Sequence, residues 1–514
     1  MKKRFIFLLV LGLATVFNYF FWQEALALNL FLFTSLTLLI LLGLNRFKVN
    51  EIQGLNLTLT LLSGVGLVVH GSSLALTIHL LSFITTIGVI RYPSFLNNFF
   101  SALSVLFSFK GIFSVFTPSN ANEPPTMFNY KRLGYLFRIG IIPLAILFIF
   151  FMLYQIANPV FLDYVERAYA KIDDLLTLIF EKVSLARVFF FLFGLVISAG
   201  ILFYSNKNWV VKYYTSLSTV LQRKRKRFTG KFTELKTELL IATVLLVMIN
   251  ALLLVVNIID INWIWFDFTM PENFELKQFV HEGTYVLIAS IMLAISLMFY
   301  YFRANLNFVK NNQVLKTLSY IWIMQNVILA ISVFMRNYHY ISYHGLANKR
   351  LGVIVFLIIT VSGLISLLIK IHKKKTAYYS FNLTTWVLVF VLSGMSLVNW
   401  DRVMCNYNLS FGENGNIDAA FYLDLCPTVY PILYANLPTI HGQILSHASF
   451  QTQWQEFINP DVFDQHLLFR TEHYLTYRES LSWLSWSVAD EYATEFCSRL
   501  MEERRLPTDG LAGR

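Results

Sequence analysis

The chain has 514 residues, 56% hydrophobic and only 14% charged, with a mean hydropathy of +0.57; a soluble domain carries roughly 25% charged residues, so a soluble globular protein is excluded. Its apolar runs are about 20 residues long, enough for a helix to cross ~30 Å of hydrocarbon, and they lack the alternation of a membrane β-barrel. The net charge of +11 would raise nucleic acid as a partner in a soluble chain. Here the basic residues flank apolar spans, which points to topology and to anionic lipid at the cytoplasmic face; no nucleic acid is expected.

Met1-Lys2-Lys3-Arg4 before an apolar run, with Ala25-Leu26-Ala27 behind it, has the look of a signal peptide. The apolar character continues to Leu44, so the run is read as a retained anchor. Spans are predicted at about Phe5–Trp22, Ala25–Leu44, Leu55–Val69 and Ser73–Ile90. Arg46, Lys48 and Arg91 mark alternate ends, which puts the N-terminus in the cytoplasm. Ser94–Phe116 carries Asn97, Ser101, Ser104 and Ser108 on one helical face and is predicted to be an in-plane or half-inserted helix on the cytoplasmic side. The Pro-rich stretch around Pro118, Pro124 and Pro125 reads as a cytoplasmic linker.

A second block follows. Spans are predicted at Tyr135–Ala157, Val188–Tyr204, Leu239–Ile259, Gly283–Phe302, Leu318–Met335, Leu351–Ile371 and Thr384–Asn399, with an amphipathic surface helix over Phe161–Val183. The basic stretch Arg223–Arg227 and His372-Lys373-Lys374-Lys375 fall on the cytoplasmic side. An acidic loop beginning at Asp260 falls outside. Among the polar residues within spans are His79, Asn250, Asn257, Gln325 and Asn326. His79 is expected to hydrogen-bond a neighbouring helix.

From Trp400 charged residues become common, and helices are predicted from Asn416 to Leu425, up to Leu437 before Pro438, and over Arg478–Arg505. The reading is an all-α polytopic transmembrane helix bundle of about eleven spans, N-terminus in and C-terminus out, with a small helical extracytoplasmic domain. Its parts are membrane helices over 1–116, a linker over 117–134, a second helix block over 135–399 and the outer domain over 400–514. Cys405, Cys426 and Cys497 form no Cys-x-x-Cys pair, so no metal or redox motif is indicated. In an extracytoplasmic domain one disulfide is possible, Cys405 and Cys426 being nearest in sequence.

No P-loop, dinucleotide fingerprint, His-Glu-x-x-His or nucleophile elbow is present, and no catalytic residue, cofactor or metal site is assigned. Two polar clusters stand out where the topology faces outward. One comprises Arg336, Tyr338, His339, Tyr343, His344 and Arg350; the other comprises Asn399, Asp401 and Arg402. The five-residue step from His339 to His344 does not put them on one helical face, so an aromatic interfacial belt competes with a ligand site. Asp401 is expected to pair with Arg336 or Arg350.

The same clusters carry a resemblance. Tyr343-His344-Gly345-Leu346-Ala347-Asn348-Lys349-Arg350-Leu351-Gly352-Val353, then Leu397-Val398-Asn399-Trp400-Asp401-Arg402 and Tyr407-Asn408-Leu409, resemble the two signatures of a bacterial polytopic membrane family known as domain of unknown function 4173. The resemblance covers about Phe128–Leu437. It implies the architecture and a multi-pass location in the bacterial inner membrane, but no activity. Three functions stay open: a membrane scaffold or sensor with a protein partner, a transporter of a small molecule or lipid, and an enzyme acting on the envelope.

Overall fold

The computed structural model describes residues 2–107, 184–203, 208–223, 232–266, 276–303, 305–309, 312–413, 417, 419–447 and 459–505, with scattered positions between 143 and 171. Among these the regular elements are helical, and the one β-type pairing is an isolated antiparallel bridge between Val220 and Lys375. In chain order they are α1 (Lys2–Phe21), α2 (Leu28–Leu44), α3 (Glu51–His70), α4 (Ser73–Arg91), α5 (Asn98–Leu106), α6 (Leu185–Leu202), α7 (Trp209–Thr215), α8 (Phe232–Asp260), α9 (Leu276–Tyr301), α10 (Gln313–His344), α11 (Asn348–His372) and α12 (Ala377–Met395). The C-terminal helices are α13 (Trp400–Leu409), α14 (Ala420–Leu423), α15 (Tyr430–Ala435), α16 (Leu437–His447), α17 (Pro460–Glu479) and α18 (Val488–Arg505).

Among the described residues six segments are long and apolar enough to cross a membrane: α3, α4, α6, Leu235–Phe266, α10 and α11. Helices α12 and α13, joined at a bend of 67°, make a seventh when taken together as one span; Phe5–Phe21, Leu28–Leu44 and Tyr285–Tyr301 are shorter apolar helices. The chain is therefore a multi-pass membrane protein. Each of these helices carries one of the expected spans. The span expected at Tyr135–Ala157, the linker, the amphipathic helix over Phe161–Val183 and the basic stretch after Arg223 lie largely outside the described residues.

The described residues form two compact units, Met1–Trp22 with Leu106–Asn206, and Gln23–Val105 with Lys207–Arg514. In the first, α1 and α6 pack through aromatic rings. Gly194 leaves room for Phe17, whose ring sits 5.2 Å from that of Phe190. The rest concerns the second unit.

Between membrane helices lipid competes equally for apolar side chains, so close approach and hydrogen bonds do the selecting. Gly66 of α3 meets the Ser396 carbonyl so tightly that a Cβ would lie 2.2 Å from it. His79 is fully buried, with Nδ1 near the Thr60 carbonyl at 3.2 Å and Nε2 near Thr34 Oγ1 at 3.0 Å, which ties α4 to α2 and α3 as expected. Helices α8 to α11 share an apolar core that includes Leu246, Ile291, Met298, Ile323 and Leu364. The turns sort to two ends. At one, Arg46, Lys48, Arg91, Lys212 and Lys373–Lys375 gather. There the Leu96 N–H donates to Tyr214 Oη at 2.8 Å, and Lys370, buried, donates to the Phe302 carbonyl at 2.8 Å. At the other sit the start of α2, the α3–α4 and α10–α11 turns, and the C-terminal domain.

Helix α5 is described over nine residues, and its polar stripe is buried against neighbours. Ser101 Oγ donates to the Thr85 carbonyl at 2.6 Å and Asn97 Nδ2 to Asn382 Oδ1 at 3.0 Å; Ser108 lies outside the described residues. Asp260 is the last residue of α8, continued by a π-helical turn over Ile261–Phe266, and so is not in a loop. The expected helix over Arg478–Arg505 is two: α17 ends at Glu479, Trp483–Ser485 form a 3-10 turn, and α18 starts at Val488. Serines at 480, 482, 485 and 487 compete with the helical backbone and break it. Pro438, expected as a stop, lies in the first turn of α16, where its missing N–H costs nothing.

Candidate functional site

The domain end of the bundle is organised by Gly345, which ends α10 with φ +80°. Only glycine holds this left-handed backbone without strain, and a Cβ here would lie 2.5 Å from both Asn408 Oδ1 and Ile417 Cδ1. The turn is gripped from α13. Leu346 N–H donates to Asn408 Oδ1 at 2.6 Å, and Asn408 Nδ2 donates back to the Leu346 carbonyl at 3.0 Å. The Asn408 carbonyl accepts from Gln443 Nε2 at 3.2 Å, and Gln443 Oε1 accepts from Tyr422 Oη at 3.0 Å. Asn408, Gln443 and Tyr422 are buried, so the two sequence signatures meet in one polar chain that runs into the domain core.

Arg350 closes the same turn. Its Nη1 donates to the His344 carbonyl at 2.7 Å and to the Gly345 carbonyl, and its guanidinium lies 4.3 Å from the centre of the Tyr340 ring. A cation on the last carbonyls of α10 satisfies groups that the helix leaves orphaned. The backbone of Arg350 accepts from Asn337 Nδ2 at 3.1 Å.

The second signature makes the bend. Asn399 caps α13 by accepting from Arg402 N–H at 3.0 Å, as its residue type favours. Trp400 Nε1 donates to the Met395 carbonyl at 3.0 Å. Residues Met404 and Cys405 enter the core of the C-terminal domain, so α13 belongs to that domain and α12 is the spanning part. Asp401 accepts from the Cys426 N–H; burial raises its carboxyl above the ordinary carboxylate value, and that bond opposes the rise. Beside it is a cavity of about 320 Å³ lined by Ser72, Ser73, Leu74, Thr77, Asn348, Trp400 and Asp401. Hydroxyls from the first turn of α4, the first residue of α11 and a carboxylate from the domain thus share one small chamber.

The remaining expected residues scatter. Arg336 is buried and its Nη2 pairs with Asp260 Oδ1 at 2.7 Å, and Arg350 serves backbone carbonyls, so the expected pairing of Asp401 with either arginine is corrected. The reason is position: Asp260 ends α8 beside α10, whereas Asp401 sits beyond the bend. His339 Nε2 donates to the Ile264 carbonyl at 3.0 Å. The ring of His344 lies 4.8 Å from Tyr340 and 4.9 Å from Tyr343. Tyr338, Tyr343 and Arg402 are exposed, and neither histidine lines the cavity. Among the described residues no three His, Cys, Asp or Glu side chains cluster as metal ligands.

Sequence reasoning missed Glu24 and Ser485. Glu24 accepts from the Ser482 N–H at 3.1 Å and from Ser485 Oγ, whose oxygen accepts from the Ala25 N–H at 2.9 Å. A lone carboxylate in the turn between two apolar runs was the available signal. All three cysteines are free thiols, Cys405 and Cys497 fully buried; burial pushes the Cys497 thiol up to about 11.

A family profile described as a domain of unknown function, DUF4153, matches residues 8–436. It covers the helices up to α15 and both signatures; the family shown is thus this one, where the motifs led to an expectation of the 4173 family. No curated protein and no solved structure matches the chain.

Proposed function

We propose, for a chain that belongs to the DUF4153 family, a sensor or scaffold of the bacterial inner membrane that binds a small ammonium-bearing group where its helices meet its C-terminal domain. The observation that carries this is the chamber of about 320 Å³ with Asp401 in its wall. Its size is at the lower end for small-molecule sites, which run about 300–1,000 Å³. A half-buried carboxylate with no ion pair among the described residues, an indole and several hydroxyls suit a cation of one to a few carbons. Such a group comes either from a free amine or from an aminated lipid headgroup.

The proposed topology has about eleven spans, N-terminus in and C-terminus out, with the basic end on anionic lipid of the cytoplasmic face. Helical domain 400–514 is then extracytoplasmic and the chamber opens near the outer leaflet. The chamber's walls come from both the α3–α4 hairpin and the domain, so a bound ligand favours their closed arrangement by its difference in affinity. The second sequence reading, a transporter, loses the stripe on α5 as a support because that stripe is packed. The enzyme reading draws no support from the chamber's lining, which among the described residues includes no histidine.

The test is thermal unfolding of purified full-length protein, with ethanolamine titrated in detergent and with nanodiscs of phosphatidylethanolamine compared to phosphatidylglycerol. A rise in midpoint that disappears in Asp401→Asn supports the proposal, and the two arms separate free amine from lipid. No rise in either arm, or a rise that persists in the variant, refutes it.

A further inference from the structure

A second polar feature lies inside the membrane helices. Helices α8 and α10 run parallel and are tied at a spacing of seven. Asn250 Nδ2 donates to the Leu318 carbonyl at 3.1 Å, and Asn257 Nδ2 to the Gln325 carbonyl at 3.1 Å. Trp265 Nε1 donates to Ser332 Oγ at 3.1 Å. A seven-residue repeat keeps the same faces together in left-handed packing. Arg336 and Asp260 close the series. From residue 318 to residue 336 is ~27 Å of helix at 1.5 Å per residue, nearly the thickness of the hydrocarbon.

The ties fix which way each amide points. A backbone carbonyl only accepts, so Asn257 must turn its nitrogen toward Gln325, which leaves its oxygen facing elsewhere. Gln325 gives its nitrogen to Asn250 Oδ1 at 3.3 Å. Three of the leftover atoms are acceptors, and Trp322 Nε1 on α10 is a leftover donor. Gln325 Oε1, Asn257 Oδ1 and Asp260 Oδ2 are buried acceptors with no donor among the described residues. The side chains that bear them are more than nine-tenths buried. Three acceptors left unmatched among the described residues call for a small donor such as water. Asn257 and Gln325 sit at one level and Asp260 lies three residues on, ~4.5 Å along the helix, a step that suits a short row of water molecules.

We propose that the seam between α8 and α10 holds a file of bound water that ends on Asp260, and that Asp260 exchanges protons through it inside the membrane. In the step, an O–H bond of a hydronium in the file breaks and an O–H bond forms on Asp260 Oδ2. The hydronium becomes water, the carboxylate becomes a neutral acid, and the positive charge is left on Arg336, still bonded to Oδ1. The reverse step returns the proton. Among the described residues the ionisable groups facing this site are Arg336, its ion-pair partner, and His339, which lies one turn further along α10 and holds the Ile264 carbonyl. The π-helical turn after Asp260 widens the backbone here, a form that recurs at functional sites.

Infrared difference spectroscopy on the full-length protein in lipid tests this. As pH is lowered a carboxylic-acid carbonyl band is expected that is absent in Asp260→Asn and shifts within minutes of transfer to D2O. Asn257→Leu and Gln325→Leu are expected to slow that shift at least tenfold while keeping the band. The proposal is overturned if no band assignable to Asp260 appears, if its shift in the wild type takes as long as exchange of core helix amides, or if the leucine variants exchange at the wild-type rate. Radiolytic hydroxyl labelling of the wild-type protein covers the case in which the variants misfold. Fast labelling of side chains at the α8–α10 seam supports the file; protection as complete as that of Leu246 and Ile291 overturns it.

Discussion

Replacing Asn408 with alanine removes the two hydrogen bonds by which α13 grips the α10–α11 turn, at 2.6 and 3.0 Å. A buried donor left unmade costs ~1–3 kcal/mol, and a carbonyl with a second lone pair less, so the loss should total about 2–4 kcal/mol. The domain supplies its own reporter. Cys405 and Cys497 are fully buried on either side of its core and react with a maleimide only when it opens. In a Cys426→Ala background, and where closing outruns labelling, the labelling rate follows the opening equilibrium. The expected loss then speeds labelling about 30- to 700-fold, at 1.4 kcal/mol per factor of ten. Asn406→Ala is the control, since it deletes the same side chain from the exposed face of the same helix; an exposed change of this kind stays within about 0.5 kcal/mol. Should Asn408→Ala label within fivefold of Asn406→Ala, the grip on Leu346 does not seat the domain and the reasoning fails.

Gly345→Ala combines left-handed strain with two contacts at 2.5 Å; the same labelling assay should show opening as large as for Asn408→Ala, and wild-type rates would deny the close fit. Arg336→Ala leaves a buried carboxylate alone and should destabilise by about 3–5 kcal/mol, whereas Arg336→Met with Asp260→Leu should recover most of it in thermal unfolding. For Asp401 the raised carboxyl means that the folded state holds its proton more tightly than the unfolded chain. Its contribution to stability is therefore present in full below the unfolded value and is lost as pH rises through the folded one. Asp401→Asn should accordingly unfold at a higher temperature than wild type near neutral pH and lose this advantage on acidification to about pH 3, below the ordinary carboxylate value; a pH-independent difference would contradict the burial of this group.

The helices were legible because hydrocarbon demands long apolar runs, and Gly345, Asn399 and Asp401 stood out because polar residues clustered where spans end. Their partners were not legible. Nothing local marks Asp260 as the mate of Arg336, 76 residues away, and the ends of α8 and α10 had to be placed side by side before Asp401 could be discounted. Helix α17 was missed because its buried residues, Phe463, Leu467, Thr471 and Tyr474, form a thin stripe in a strongly charged segment. The stripe on α5 misled for the opposite reason: in a membrane a polar face serves packing as readily as passage.

The C-terminal domain touches what is made first and what is made late. Ser485 grips Glu24 and Ala25 near the N-terminus, while Asn408 grips Leu346 in the last helical hairpin. The ribosome releases Ser485 461 residues after Glu24, so that grip forms only once the C-terminal domain has been made, whereas Asn408 follows Leu346 by 62 residues. A hairpin delivered to the wrong side would leave Glu24 or Leu346 unmatched, so the two grips tie the seating of the domain to the insertion of both.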